Sequence, residues 1–98
     1  MKRSRKHLQF VASLPCLVTK QVGNTQAAHI RMGLAAGTGI KPCDSRVVPL
    51  SVEQHAKQHS MSEAAFWDDA GIDVLKIAAE LWEHSGEQLH CTALVIDA

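Results

Sequence analysis

The sequence predicts one small α+β domain spanning residues 1–98. Its length of 98 residues, with 46% apolar and 20% charged side chains, is typical of a single globular unit. The first half holds two short segments of strand-like composition separated by a glycine-rich stretch. The second half repeats apolar residues with helical periodicity. These observations together favour a small sheet that is covered by helices.

The same composition indicates where the protein works. No stretch approaches the roughly 18 uncharged apolar residues that a transmembrane helix needs. The apolar run after the basic residues 1–6 is too short and too interrupted for a signal peptide. Cys16, Cys43 and Cys91 are odd in number and irregularly spaced, which argues against a disulfide framework. We therefore expect a cytoplasmic protein with no membrane partner.

The net charge of zero conceals a division between the two halves of the chain. Residues 1–50 carry eight lysines and arginines against a single acid, Asp44, whereas residues 51–98 carry two lysines against nine acids. A basic half favours a polyanionic partner, nucleic acid first, because each phosphate that is neutralised releases condensed counterions. The alternative is that the two halves pair with one another on folding.

In the first half of the chain, helix-breaking and turn-forming residues mark where the predicted elements begin and end. Apolar residues keep helical spacing between the basic N-terminus and Pro15, which predicts a short basic helix over 3–14. The turn signal at Gly23 and Asn24 then leads into 25–31, which we interpret as the first strand.

The centre of the chain contains a loop and a second strand. Glycine and proline are too dense over 32–43 for a regular element, so we expect a loop there. The valines of 46–50 predict a second strand, and Pro49 places it at a sheet edge or at its own end.

Capping patterns mark the helices that follow. The S-x-x-Q capping box that begins at Ser51 predicts that a helix starts at Val52. A second such pattern, formed by Ser60 with Glu63, predicts a bend and a further helical piece that ends near Gly71.

The C-terminal part of the chain contains one clear helical pattern and one ambiguous segment. Apolar residues at i, i+3, i+4, i+7 and i+8 predict an amphipathic helix over 73–85 that covers the core, and Gly86 is a natural stop. The tail over 88–98 is apolar near its end, so we expect either a last strand or a poorly ordered segment.

Three histidines carry the chemistry of the central region. His55 and His59 are four residues apart on the predicted helix and therefore share a face, where two imidazoles can bind one divalent cation. His29 lies in the first strand and can accept a proton from water. Alone, such a pair is weak evidence, because helical histidines at this spacing are more often ordinary surface or partly buried residues.

A resemblance to a known family adds to this pattern. Its features occur in a fixed order along the chain: AAHIR at 27–31, GLAAGTGIKP at 33–42, Asp44, VPL at 48–50, His55 and His59. This order resembles the HNH, or ββα-metal, nuclease superfamily, in particular the small nuclease-like proteins of phages and prophages. The resemblance implies a ββα-metal (His-Me finger) core over about 25–60 with a long glycine-rich loop. It implies a helical cover over about 61–86 and a tail over 87–98.

The resemblance also implies roles for the site residues. His29 would be the catalytic general base, and His55 and His59 would hold a divalent metal ion, which could be Mg, Mn, Ni or Zn. Asp44 would be a catalytic residue that either ligates the metal or braces the loop that orients His29. Neither role of Asp44 is favoured by the sequence.

Basic residues that flank this site are candidates for DNA contacts. Arg31, Lys41 and Arg46 would bind phosphates, supported by backbone amides of the glycine-rich loop. Each of them could equally be a solvated surface charge.

Two departures from the family bear on stability and metal binding. Many relatives carry a structural zinc on two cysteine pairs, but only Cys16 is present here, because Thr19, Ser51 and Gln54 occupy the other three positions. We therefore expect no structural zinc. Many relatives also place a metal-binding residue directly before the catalytic histidine, where this chain has Ala28.

Three functions are consistent with these patterns. The first is a metal-dependent DNA endonuclease that acts in phage or prophage recombination or DNA processing. The second is a nucleic-acid-binding module that keeps the fold without turnover. The third is a structural or partner-binding protein with packed histidines and an acidic docking surface. The sequence leaves the oligomeric state open.

Overall fold

A computed structural model describes residues 3–32 and 43–98 and confirms the α+β class. Its described part contains five helices and a two-stranded antiparallel sheet. In chain order the elements are α1 Arg5–Ala12, β1 Thr25–His29, β2 Val47–Ser51, α2 Val52–His59, α3 Glu63–Ala70, α4 Val74–Glu83 and α5 Gln88–Asp97. The predicted loop over 32–43 lies outside the described residues except for its two ends.

The first helix is shorter than the predicted 3–14. Ser4 is its N-cap, and the Ser4 hydroxyl accepts a hydrogen bond from the backbone N–H of His7 at 3.1 Å. The helix ends at Ala12 with Ser13 as its C-cap, ahead of Pro15, which disfavours helical backbone at Leu14. His7 and Val11 form its buried face.

The sheet matches both predicted strands with small shifts at their ends. β1 pairs with β2 in a register that sets Ala28 opposite Val48 and His29 opposite Val47. Pro49 lies inside β2, and its carbonyl accepts a hydrogen bond from the backbone N–H of Leu17 at 2.8 Å. A proline is tolerated there because it lies on an edge strand of a two-stranded sheet.

The helix over 52–59 starts as its capping box predicts. Ser51 is the N-cap of α2, and its hydroxyl accepts from the backbone N–H of Gln54 at 3.2 Å. The second predicted N-cap, Ser60, is at the wrong residue. Ser60 ends α2, and Ser62 caps α3 by accepting from the backbone N–H of Ala65.

Gly71 ends α3 as predicted. It adopts the left-handed conformation with φ of 69°, which glycine reaches without the steric penalty that a Cβ imposes. The helix predicted over 73–85 is α4, which Asp73 caps and which buries its apolar stripe. Its buried residues are Val74, Ile77, Ala78 and Leu81.

The tail over 88–98 is neither a strand nor disordered but the helix α5. Cys91 and Val95 are fully buried on its inner side. The Lys20 ammonium donates to the carbonyls of Val95 and Ala98 at 2.8 and 3.1 Å, which satisfies acceptors at the helix end. These tertiary contacts stabilise a helix in a segment whose β-branched residues favour a strand.

One apolar core joins the sheet to the helices. It contains Ala28 and Val48 from the sheet, Trp67 from α3, Leu81 from α4 and other buried residues of the chain. The sheet is thus held from the core side, and the end of β1 that carries His29 is held in place by this packing.

Candidate functional site

His29 and Asp44 form a hydrogen-bonded pair at the end of the sheet. His29 is the last residue of β1, and Asp44 lies in the turn that precedes β2. Nε2 of His29 lies 2.9 Å from Oδ1 of Asp44. The Asp44 carboxylate therefore contacts the imidazole of His29 directly.

Asp44 is itself anchored to the N-terminus of the chain. Its side chain is only 5% exposed. Oδ2 accepts the backbone N–H of Ser4 at 2.8 Å, and a guanidinium nitrogen of Arg3 lies 3.4 Å from Oδ1. Burial opposes ionisation, but the hydrogen bonds from His29 and Ser4 and the charges of His29 and Arg3 outweigh it. The pKa of Asp44 therefore lies below its ordinary value, and the group is a carboxylate.

The tautomer of His29 follows from this anchor. A carboxylate only accepts hydrogen bonds, so Nε2 carries the proton and donates it to Asp44. In the neutral ring the lone pair then lies on Nδ1. Within residues 3–32 and 43–98, Nδ1 has no hydrogen-bond partner, and the side chain is 33% exposed. His29 is thus arranged to accept a proton from a molecule that approaches from solvent.

His55 and His59 form a second pair on α2. Their Nε2 atoms lie 3.1 Å apart, and Nδ1 of His55 donates to Oε1 of Gln26 at 2.8 Å. Gln26 thereby keeps the lone pair of neutral His55 on Nε2, which accepts from Nε2–H of His59.

The spacing of this pair fits a cation. Two imidazole nitrogens bound to one zinc-sized ion at about 2.0–2.1 Å stand roughly 3 Å apart at neighbouring coordination positions. The 3.1 Å separation of His55 and His59 meets that condition. His59 would bind through Nε2 once its proton has moved to Nδ1, and Gln26 already fixes the orientation of His55.

Electrostatics favour the neutral, ligand-competent form of His55. Burial lowers its pKa first, and the charges of His59 and His29 lower it further. The two histidine sites are the His29–Asp44 pair and the His55–His59 pair. They do not merge into one coordination sphere, since no group of three or more His, Cys, Asp or Glu in the described chain could hold a metal ion.

The predicted site residues therefore fall into two pairs. His29 and Asp44 are together, and His55 and His59 are together, but the carboxylate of Asp44 does not join the histidine pair as a third metal ligand. The reason is that its oxygens already serve His29, Ser4 and Arg3.

The predicted phosphate-binding residues have different surroundings. Arg46 donates from Nε to the carbonyl of Ile30 and from Nη2 to the carbonyl of Met32, so its guanidinium braces the chain that leaves β1. Arg31 is exposed. Lys41 lies outside the described residues.

Sequence reasoning missed Glu63 as a brace of this region. Its carboxylate accepts the backbone N–H groups of Arg31 and Met32 at 2.9 and 3.1 Å. Glu63 and Arg46 together hold the backbone directly after His29, since Glu63 accepts its N–H groups and Arg46 donates to its carbonyls. In the sequence, Glu63 is recognisable only as an acid at the first position of a helix. Acids are common there, so this position does not indicate a contact with the backbone of Arg31 and Met32.

Cys16, Thr19, Ser51 and Gln54 are linked by hydrogen bonds. The buried Cys16 thiol accepts hydrogen bonds from the backbone N–H groups of Thr19 at 3.5 Å and of Ser51 at 3.3 Å. Ser51 also caps α2, since its hydroxyl accepts from the backbone N–H of Gln54. Burial raises the pKa of this thiol, but hydrogen bonds from Thr19, Ser51 and Val18 outweigh that effect and lower it overall. At these positions the chain thus has a buried thiol and a helix cap.

No protein-family profile, curated protein or solved structure matches this chain. Of the helices that the structure describes, none has the length and apolar character needed to cross a membrane.

Proposed function

We propose that this chain is a metal-dependent endonuclease of the ββα-metal type that hydrolyses phosphodiester bonds in DNA. The observation that carries the proposal is the His29–Asp44 pair, in which Nδ1 of the partly exposed His29 has no hydrogen-bond partner among the described residues, together with an imidazole pair that has the spacing of metal ligands. We propose further that the protein acts in phage or prophage recombination or DNA processing, which rests on the resemblance alone.

The arrangement assigns a chemical task to each residue. Nδ1 of His29 takes a proton from the attacking water while the water oxygen bonds to phosphorus, and the ester bond to the leaving oxygen breaks. That oxygen gains a proton from solvent. Asp44 holds the tautomer that makes Nδ1 basic and stabilises the imidazolium that forms. A divalent cation on His55 and His59 would offset phosphate charge and stabilise the leaving oxygen.

Two further observations support the proposal. β1, β2 and α2 follow one another in the order that the resemblance implies, and the three histidines lie on β1 and α2. The contacts of Cys16 with Thr19 and Ser51 bring together the positions at which relatives bind zinc. The cofactor would be a divalent metal ion. Imidazole ligands bind Zn and Ni more tightly than Mg, whereas Mg or Mn could serve in the cell because they are more available.

Plasmid and single-stranded DNA cleavage tests the proposal. Purified protein is incubated with Mg, Mn, Ni or Zn in separate reactions, and with a chelator. We expect metal-dependent nicking that the chelator abolishes. The His55→Ala variant should require more metal for half-maximal rate, whereas His90→Ala, an exposed histidine on α5, is the matched control and should cut like the wild type. Absence of cleavage with every metal would refute the nuclease.

A specific observation favours a second candidate function, a nucleic-acid-binding module without turnover. Among the described residues, no group of three or more His, Cys, Asp or Glu could hold a metal ion. Such a protein would bind DNA with an affinity that falls as salt rises, and it would cleave with none of the metals. The same reactions therefore separate the two functions.

A further inference from the structure

His7 is a buried histidine that the proposed nuclease site does not use. It lies on the inner side of α1 and is only 1% exposed. Its Nδ1 lies 2.7 Å from the hydroxyl oxygen of Ser85, which is 78 residues further along the chain. Among the described residues, Nε2 of His7 is buried without a hydrogen-bond partner. An unsatisfied buried nitrogen costs free energy, so a histidine in this place, where an apolar residue would pack, points to a use for the other nitrogen.

Ser85 is accessible from solvent, unlike the histidine behind it. It lies in the turn after α4, whose C-cap is His84, and it is exposed. Gly86 follows in the left-handed region with φ of 91°, so the chain turns away directly after the serine. Within the described part of the chain, the backbone N–H of Gly86 forms no hydrogen bond. Ser85 thus combines an accessible oxygen with an imidazole nitrogen at hydrogen-bond distance and an N–H donor at the next residue.

The imidazole of His7 is in the state that accepts a proton. Burial lowers its pKa, and the charge of Asp44 opposes that effect. His7 is therefore neutral at pH 7, and one of its ring nitrogens carries a lone pair. When Nε2 carries the proton, Nδ1 accepts the hydrogen bond of the Ser85 hydroxyl. This is the contact through which a general base activates a serine for nucleophilic attack.

Two aromatic side chains flank the imidazole of His7. Its ring centroid lies 4.8 Å from that of Trp82, with the two rings nearly perpendicular, and 6.5 Å from that of Phe10. Both aromatic residues are partly exposed. They hold the imidazole in place and give the surface around the His7–Ser85 contact an apolar character, which favours a substrate with an apolar acyl group.

We propose that Ser85 is a nucleophile activated by His7, and that the two residues form a second catalytic site, which hydrolyses carboxylic esters with apolar acyl groups. The geometry that carries the proposal is an exposed hydroxyl at 2.7 Å from a buried imidazole whose other nitrogen has no partner among the described residues. The proposal goes beyond the DNA chemistry of the proposed function and does not depend on it, because neither Ser85 nor His7 belongs to the nuclease site.

The reaction takes two balanced steps. Oγ of Ser85 bonds to the carbonyl carbon while its proton passes to Nδ1 of His7, and the bond from that carbon to the leaving alcohol breaks as the alcohol oxygen takes the proton from Nδ1. Water then adds to the acyl-serine and gives a proton to Nδ1, and the carboxylic acid leaves as Oγ regains that proton. The N–H of Gly86, directly after the nucleophile, would donate to the carbonyl oxygen, on which negative charge develops in both steps.

Covalent labelling with an alkyl fluorophosphonate tests the assignment, because Oγ of an activated serine bonds to the phosphorus of this probe and fluoride leaves. The whole chain is incubated with the probe, and peptide mass spectrometry locates the adduct. Hydrolysis of p-nitrophenyl butyrate is measured in parallel by absorbance. Ser85→Ala removes the nucleophile and His7→Gln removes the base. Ser13→Ala is the matched control, since Ser13 is also an exposed serine just after a helix, but its hydroxyl donates to the carbonyl of Phe10.

We expect the wild type and Ser13→Ala to carry the adduct on Ser85. Ser85→Ala should lose the label and fall to the ester hydrolysis rate that exposed imidazoles give, and His7→Gln should label more slowly by a factor of about ten or more. A wild type without label on Ser85 would overturn the proposal, as would equal labelling rates in the wild type and folded His7→Gln. A merely structural contact would lower the Tm of the variants and leave Ser85 unlabelled.

A second variant covers the case in which His7→Gln does not fold, which circular dichroism would show. In Ser85→Cys the imidazole should favour the thiolate, so this thiol should react with iodoacetamide faster than that of Ser13→Cys by a factor of about ten or more at pH 7. Equal rates at the two positions would overturn the activation by His7. Neither result depends on whether the protein cuts DNA, so the ester site and the nuclease can fail separately.

Discussion

The carboxylate of Asp44 is the group on which both the site and the docking of α1 depend, so its removal should be costly. Asp44→Ala deletes the acceptor for the backbone N–H of Ser4 and for Nε2–H of His29. Hydrogen bonds to a charged group contribute about 1.5–3 kcal/mol each, and the lower value suits partners that are partly exposed. The long contact to half-exposed Arg3 adds little.

These contributions predict a loss of about 3 kcal/mol in the free energy of unfolding. For a domain of this size, 1 kcal/mol shifts Tm by roughly 4–8 °C, so the expected fall is about 15 °C. Urea unfolding followed by tryptophan fluorescence measures it, because Trp67 is buried in the core. Asp68→Ala is the matched control, since Asp68 is exposed on α3 and should change stability by less than about 0.5 kcal/mol.

The pH dependence of the same variant gives an independent check. The folded-state pKa of Asp44 is lowered, so its contribution is present above the unfolded pKa of about 4 and is lost as pH falls below that value. The stability difference between the wild type and Asp44→Ala should therefore be constant from pH 7 to 5 and shrink below about pH 4. A variant within 1 kcal/mol of the wild type at pH 7 would refute the anchoring role of Asp44.

The remaining predictions concern the two places where metal chemistry is at issue. His55→Ala should weaken cobalt binding, measured by titration of the visible absorbance, by at least tenfold, because a single imidazole is left; an unchanged affinity would show that the His55 pair is not the binding site. The triple variant Thr19→Cys, Ser51→Cys, Gln54→Cys should complete a tetrahedral thiolate site with Cys16, so that zinc raises Tm and cobalt gives a thiolate charge-transfer band. No zinc effect would show that these four positions do not converge.

The sheet and most helices could be predicted, because the capping, turn and periodicity patterns that mark them involve only residues close together in the sequence. The Ser51 capping box positioned the start of α2 correctly, since an N-cap needs only its own hydroxyl and a backbone N–H three residues on. The same pattern at Ser60 failed because Ser62 offers an equally good hydroxyl two residues later. The sequence alone does not show whether Ser60 or Ser62 is the N-cap of α3.

The helix α5 could not be predicted, because long-range contacts decide its structure. Its apolar residues lack a clear helical stripe, and several favour strands. The helix is stabilised by burial of Cys91 and Val95 and by the Lys20 ammonium at its C-terminal end. Lys20 is 75 residues away from Val95 in sequence, so no local pattern indicates that contact.

The contacts around the candidate site could be predicted only in small part. The resemblance named His29 and Asp44 as members of one site, and the structure places their side chains within hydrogen-bond distance. The resemblance did not indicate the anchoring of Asp44 by Ser4 and Arg3, because a backbone N–H that is 40 residues distant has no sequence signature.

The rate of DNA nicking by His29→Ala, relative to the wild type at saturating metal, tests the central claim most directly. If Nδ1 of His29 is the general base, the variant should lose at least a hundredfold in rate while it binds DNA with nearly wild-type affinity and salt dependence. A wild type that nicks DNA at the same rate as His29→Ala would contradict that claim.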